Sequence, residues 1–321
     1  LQSSSDQEII RANARNKTVS LHHFACKAPA TLIWSDGSLF TFQHCDISGI
    51  TDTNSHGLVF YDGGGAFVSH SHFHDCILND AIFYGDDRAE FQVQDSAFTH
   101  NGDPSGTNLF AYLLSDTTAS FRRCTFAHNN LDNGFFRVTT SACLTLDRCT
   151  FARNGSQPVQ DPGTTIGPVF LGGNIITNNV SPDILDSLNG NFTSLGNNLS
   201  EAAVPEFDES LGDLQCRNPF LAPLADYGGS SQTMPPLLGS PAIDAGVAPA
   251  LPTDQLGTSR PLDGDGDGTA APDIGAVEFA LLMVTTNTDA GPGSLRDTIA
   301  AAPPAATLLF DPALNGQTIT L

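Results

Sequence analysis

The stretch "CLTLDRCTFARN", residues 143–154, decides the fold. Leu144, Leu146, Cys149 and Phe151 alternate with Thr145 and Thr150 on either side of Asp147-Arg148. Alternation of period two marks strands that bury one side. The stretch therefore predicts two short strands, with the first four residues pointing inward, the two threonines outward, and a corner at Asp147-Arg148. The pattern recurs in "SLFTFQHCDISG", "AFVSHSHFHDC", "EFQVQDSAFTHN", "ASFRRCTFAHN" and "LGGNIITNN". Its anchors Cys45, Ser71, Ser96, Cys124, Cys149 and Asn174 fall at spacings of 26, 25, 28, 25 and 25 residues, and "LHHF" at 21–24 adds an earlier turn with His22 as anchor. A unit this short cannot close a core alone. The repeat therefore predicts an all-β solenoid, a right-handed parallel β-helix of about seven or more coils stacked at ~4.8 Å. Ile47, Phe73, Phe98, Phe126, Phe151 and Ile176 form its interior ladder, and 21 phenylalanines supply the interior. Cys124 and Cys149 fall one above the other as small buried hydrophobes. The seven cysteines lack CxxC spacing and define no disulfide scaffold.

Asn101, Asn129, Asn154 and Asn179 each follow the large apolar position by three residues, where an asparagine can hydrogen-bond backbone within its coil and to the next. These F-x-x-N and I-x-x-N runs, with "GGGAF" at 63–67, resemble the F-x-x-N and G-G-A motifs of the polymorphic outer-membrane protein family, whose passenger regions are β-helices. The resemblance concerns the fold and carries no activity.

Thirteen Lys and Arg against 35 Asp and Glu give a formal charge of −22, which repels nucleic-acid backbones and anionic lipid surfaces. No apolar run approaches the ~20 residues of a membrane helix. Two lysines amid abundant Asn, Thr, Ser and Gly suggest an extracellular or cell-surface β protein. The first ten residues lack a basic region and an apolar signal core, so any secretion signal is expected to lie upstream or to have been removed.

Three segments follow from the pattern: coils over 1–200, a closing module over 201–279, and a linker with a terminal segment over 280–321. The string "GSPAIDAGVAPALPTDQLGTSRPLDGDGDGTAAPDIGAVEF", 239–279, resembles the segment that follows β-helices in large bacterial surface proteins of the choice-of-anchor type. The resemblance implies that it closes the last coil. Within it, Asp263, Asp265 and Asp267 alternate with glycine in the manner of a calcium loop. Ile274 stands where a bidentate Glu would complete that loop, so Asp273 is expected to close the Ca2+ site.

No nucleophile elbow, P-loop or dinucleotide fingerprint occurs, and no catalytic residue is assigned. The alternative, a polysaccharide lyase or hydrolase, rests on Asp62 and Asp87, each nine residues before its anchor, with Arg88 beside them. These residues equally read as turn aspartates. His70, His72 and His74 alternate and share the outer surface with His44, a pattern that could hold a transition metal. No carboxylate or thiolate completes that set by sequence, which favours a solvated strand with a corner at His70.

The terminal segment reads as a beginning. Ser294 and Asp297 make an approximate capping box for a short helix with Leu295, Ile299 and Ala302 on its apolar stripe, ended by Pro303-Pro304. "ATLLFDPAL" and "QTITL" read as strands, and the string from Val284 resembles the N-terminal start of the same bacterial domains. The expectation is a self-associating homopolymer in which Leu295, Ile299, Leu308, Phe310, Ile319 and Leu321 complete the open first coil of the next copy. A glycan-binding adhesin is a further alternative.

Overall fold

A computed structural model describes residues 8–12, 17–27, 31–52, 56–78, 81–102, 109–131, 135–156, 167–179, 188, 191–246 and 251–319. Short strands recur in threes and stack in parallel, so the chain forms a three-faced prism. Among the described residues, the first face runs from Glu8–Ala12 to Phe136–Val138 and has six strands. The second runs from Thr18–His22 to Thr193–Gly196 and the third from Ala25–Lys27 to Leu199–Ser200, each with eight strands among the described residues.

The corner between the second and third faces explains the repeat. Two residues make every crossing, and the first takes a left-handed backbone: His23, His44, His70, Asp95, Arg123, Arg148, Gly173 and Asn197 all have φ between 49 and 68°. One such residue turns the chain sharply enough for the next side chain to point inward. That inward position is the anchor, and Cys45, Ser71, Ser96, Cys124, Cys149 and Asn174 are all buried. In the earliest coil the anchor is Phe24 rather than His22, because His23 occupies the corner and stacks on His44 at 5.0 Å.

Two ladders fill the interior. Phe73, Phe98, Phe126 and Phe151 stack at 5.4, 5.1 and 4.4 Å between ring centroids, with Ile47 and Ile176 at either end. Beside them, Asn101, Asn129 and Asn154 are buried acceptors and donors at once. The Asn129 side-chain oxygen accepts from the Asn101 backbone N–H, while its amide donates to Phe98 O and Asn154 Oδ1. The small anchors do the same, Cys45 N–H donating to Ser71 Oγ and Cys149 N–H to Asn174 Oδ1. Backbone groups at corners that strand pairing misses are thus satisfied from within. All seven cysteines are free.

Beyond Ser200 the structure departs from expectation. Val204 and Phe207 join the solenoid core and cover its end. Residues 211–214 stack on the last coil, with Leu214 bridged in parallel to Leu199 and Asp213 accepting from Asn198, while the later part of the module packs along the outside of the third face. Met234 packs on Ala127 and Ala152, and Ala242 and Ile274 pack on Ile175 and Leu199. Outward-facing Thr150 is accordingly buried, accepting from the Ala276 N–H at 3.2 Å. Gly275 permits this approach: its φ is 97°, and a Cβ there would come within 2.6 Å of Ile175.

The terminal segment is a strand, helix, strand unit. Residues 280–290 are no simple linker, since Leu281–Val284 is a strand paired in parallel with Thr307–Phe310. The Leu295–Ala301 helix starts at Ser294, whose Oγ accepts from Asp297 N–H at 3.2 Å. Asp297 itself accepts from Gly291 N–H, an unequal version of the expected box. After Phe310 the chain enters a short 3-10 turn, Pro312–Leu314. The strand expected at "QTITL" is absent over 317–319, where Ile319 is half-buried outside any strand. Leu321 lies outside the described residues.

Candidate functional sites on the outer surface

Asp62 and Asp87 occupy corresponding corners of adjacent coils, both with left-handed backbone, and Gly63 N–H donates to Asp87 O. Arg88 Nη2 lies 3.3 Å from Asp62 and its Nε 3.8 Å from Asp87. The three residues of the enzymatic alternative do come together, but the guanidinium sits between the carboxylates. The arrangement is an ion-paired corner on an exposed edge.

The acidic loop folds around a different partner from the expected one. Asp244, Asp263 and Asp265 bring carboxylate oxygens within 4.8 Å of one another. Asp244 accepts from the N–H groups of Gly264, Asp265 and Ala271, and Asp263 from those of Gly266 and Gly268. Asp267 accepts from Thr269 and is exposed. Asp273 is buried beneath the loop, accepting from Asp244 and Phe279 N–H. A hard cation such as Ca2+ would therefore meet Asp244, Asp263 and Asp265. Asp244 escaped the sequence because it lies 19 residues before the loop and nothing local marks it.

Asp273 belongs to a buried ionic group. Arg260 pairs with Glu278 and also donates to the carbonyls of Asp273 and Gly275. Burial, and next the charge of Glu278, push the Asp273 carboxyl well above its ordinary range. Burial also raises Asp254, which accepts from Glu278, Leu256 and Thr258 N–H.

The histidines separate into two sets. His23, His44 and His70 stack along the corner at 5.0 Å intervals, and burial and then the neighbouring histidines hold His44 below its ordinary range. His72 and His74 instead lie on the outside of the third face, their rings 4.5 Å apart. Burial, and next His74, lower His72 to about 4. Asp46 stands opposite His72 on the preceding coil and its Oδ1 is 2.9 Å from His74 Nε2. This carboxylate is the one the sequence pattern did not supply.

Residues 29–200 match the family model for the right handed beta helix region. The chain belongs to the right-handed β-helix family. No curated protein and no solved structure matches it. Along the second face of this β-helix, Thr41, Phe67, Gln92, Ser120 and Thr145 stand opposite one another from coil to coil and face outward. They line a shallow groove of about 480 Å³ with Glu90 and Arg122. Stacked amides and hydroxyls beside one half-exposed phenyl ring can meet a ligand with both hydrogen bonds and an apolar face.

The first described coil of the β-helix presents strand edges. Among the described residues, no strand pairs with the outer edges of Glu8–Ala12, Thr18–His22 and Ala25–Lys27. Ile10, Val19, Leu21, Phe24 and Cys26 pack on the core yet remain only partly buried, whereas Leu32, Phe40, Phe42 and Ile47 one coil on are fully covered. In the terminal unit, Met283, Ile299 and Phe310 are 45, 54 and 49% exposed. Leu295 and Leu308 are half-buried, and Thr298, not Ile299, is the buried side of the helix.

Proposed function

We propose that this β-helix is a structural subunit, displayed outside the cell, that assembles head to tail. The terminal strand, helix, strand unit of one copy covers the open first coil of another. One observation carries this reading: Leu281 pairs with Thr307, 26 positions on, in the same parallel register and at the same period as the coils. The unit is thus built as a coil, with a helix in place of two faces. Thr307–Phe310 keeps one unpaired edge among the described residues, and Ile299 and Phe310 supply apolar surface for the half-covered Ile10, Val19, Leu21 and Phe24. Unpaired edges and uncovered core favour addition of a further strand. Because the two surfaces differ, the contact is heterologous, and stacked end to end along the solenoid axis it extends into a filament and not a closed ring.

Electron microscopy of the full chain beside a chain ending at Phe279 tests the proposal. Filaments from the full chain alone are expected. Filaments from both, or from Phe310→Asp combined with Ile299→Asp, would overturn it. A covalent tandem array contains the same joint, and intact mass of the native protein separates the two. Calcium at Asp244, Asp263 and Asp265 belongs to the proposal as a stiffener of the module.

The groove beside Phe67 supports a second reading, a glycan-binding adhesin. Binding to a glycan array that is lost in Phe67→Ala and Gln92→Ala would favour it. The carbohydrate-active alternative requires cleavage of an acidic polysaccharide that disappears in Asp87→Ala.

A further inference from the structure

The outer side of the third face carries an inference independent of assembly. One ring nitrogen of His72, one of His74 and one carboxylate oxygen of Asp46 lie within 4.8 Å of each other. His74 is the pivot, with Nε2 2.9 Å from Asp46 Oδ1 and Nδ1 2.7 Å from Asp75 Oδ2. A neutral imidazole has a single N–H and can donate to only one carboxylate. Its other nitrogen then directs a lone pair at a carboxylate oxygen, unless a second proton or a metal cation stands between them. Metal-bound histidines characteristically donate their remaining N–H to a carboxylate, and Asp75 occupies that place. The neighbouring His72 is held by Thr99, whose Oγ1 is 2.7 Å from its Nε2.

We propose that Asp46, His72 and His74 form a binding site for a divalent first-row transition cation, Zn2+ above all, with Asp75 orienting His74. Two imidazoles and one carboxylate make a nitrogen-rich set suited to Zn2+ and unsuited to Ca2+ or Mg2+. Ligands ~2.0–2.2 Å from a tetrahedral ion stand roughly 3.3–3.6 Å apart, so the atoms close by at most about 1.5 Å while the His74–Asp46 pair, now at 2.9 Å, opens by about 0.5 Å. The Asp46 side chain, 62% exposed, is free to make that movement. A fourth position remains open to water.

Calorimetric titration of the full chain with ZnCl2 in chelator-stripped buffer tests the site, with Co2+ absorption as a second readout of coordination. A single saturable event is expected, weakened at least tenfold by His74→Gln and by Asp46→Asn, and about tenfold by Asp75→Asn. His44→Gln should leave it unchanged. Absence of saturable binding overturns the proposal and leaves His74 as a side chain hydrogen-bonded between Asp46 and Asp75. Binding that survives His74→Gln but is lost in His44→Gln also overturns it, because the ion would then sit in the His23, His44 and His70 stack. The three side chains lie on the surface, and an unchanged far-ultraviolet circular dichroism spectrum verifies the fold of each variant.

Discussion

Thr125 Oγ donates to Gln255 Oε1 across 2.6 Å, joining the third face of the solenoid to the module that lies on it. Gln255 is buried, and its amide also donates to Ser96 O and Ser231 Oγ. Gln255→Leu strips these bonds from the buried seam, leaving Thr125 Oγ1 only Thr233 and Ser96 O only the Thr125 N–H. The expected cost is about 1–3 kcal/mol, concentrated in the module. Hydrogen exchange checks it: faster exchange over 219–279 with coils 81–152 unchanged is the expected pattern.

The asparagine ladder should be more sensitive than its polarity suggests. Asn129→Ala leaves Asn101 N–H and Phe98 O without their partner inside the core. A loss of about 2–4 kcal/mol is expected, comparable to the ~3–5 kcal/mol of Phe126→Ala in the adjacent stack. Urea unfolding of both variants measures the ratio. A shift under 0.5 kcal/mol for Asn129→Ala would show that the ladder is dispensable.

The buried carboxyls give the module a pH dependence of definite sign. Asp273 and Asp254 are raised above 3.8 in the folded chain. The folded state therefore holds protons that the unfolded state has released, and stability falls as pH rises from near 3.8 through the raised values. The module should melt at lower temperature as pH increases across that window. Asp273→Asn should flatten the slope, and calorimetry of the two proteins over a pH series measures the difference.

Calcium should act on the loop and not on the coils. If Ca2+ binds Asp244, Asp263 and Asp265, its addition should raise the melting temperature of the module, and Asp265→Asn should abolish the rise. Asp267→Asn and chelator set the controls. Equal melting in calcium and chelator would leave the carboxylates as turn acceptors for backbone N–H groups.

Features with a local cause were legible before the structure. Period two around Asp147-Arg148 gave the strands and the corner, and recurrence gave the Phe73 to Phe151 ladder. The asparagines announced their turns, and Ser294 its helix. What the sequence hid depends on distant surfaces. Thr150 reads as an outward residue and is outward, but no local pattern says that Ala276 covers it or that Met234 packs on the nearby Ala152. Asp244 and Asp46 are separated from their clusters by a loop and by a whole coil, so linear spacing could not join them. "QTITL" has the composition of a strand, yet among the described residues no neighbouring strand lies beside it, and β pairing is not a property of one segment.

The corners between the second and third faces admit two residues each, without exception from His23 to Asn197. The crossings from third to first face are longer and unequal, from three residues after Lys27 to nine after Ser48 and Thr99. Insertions on that edge leave the stacking of every anchor undisturbed. One edge of the prism is thus free to diversify while the other keeps time.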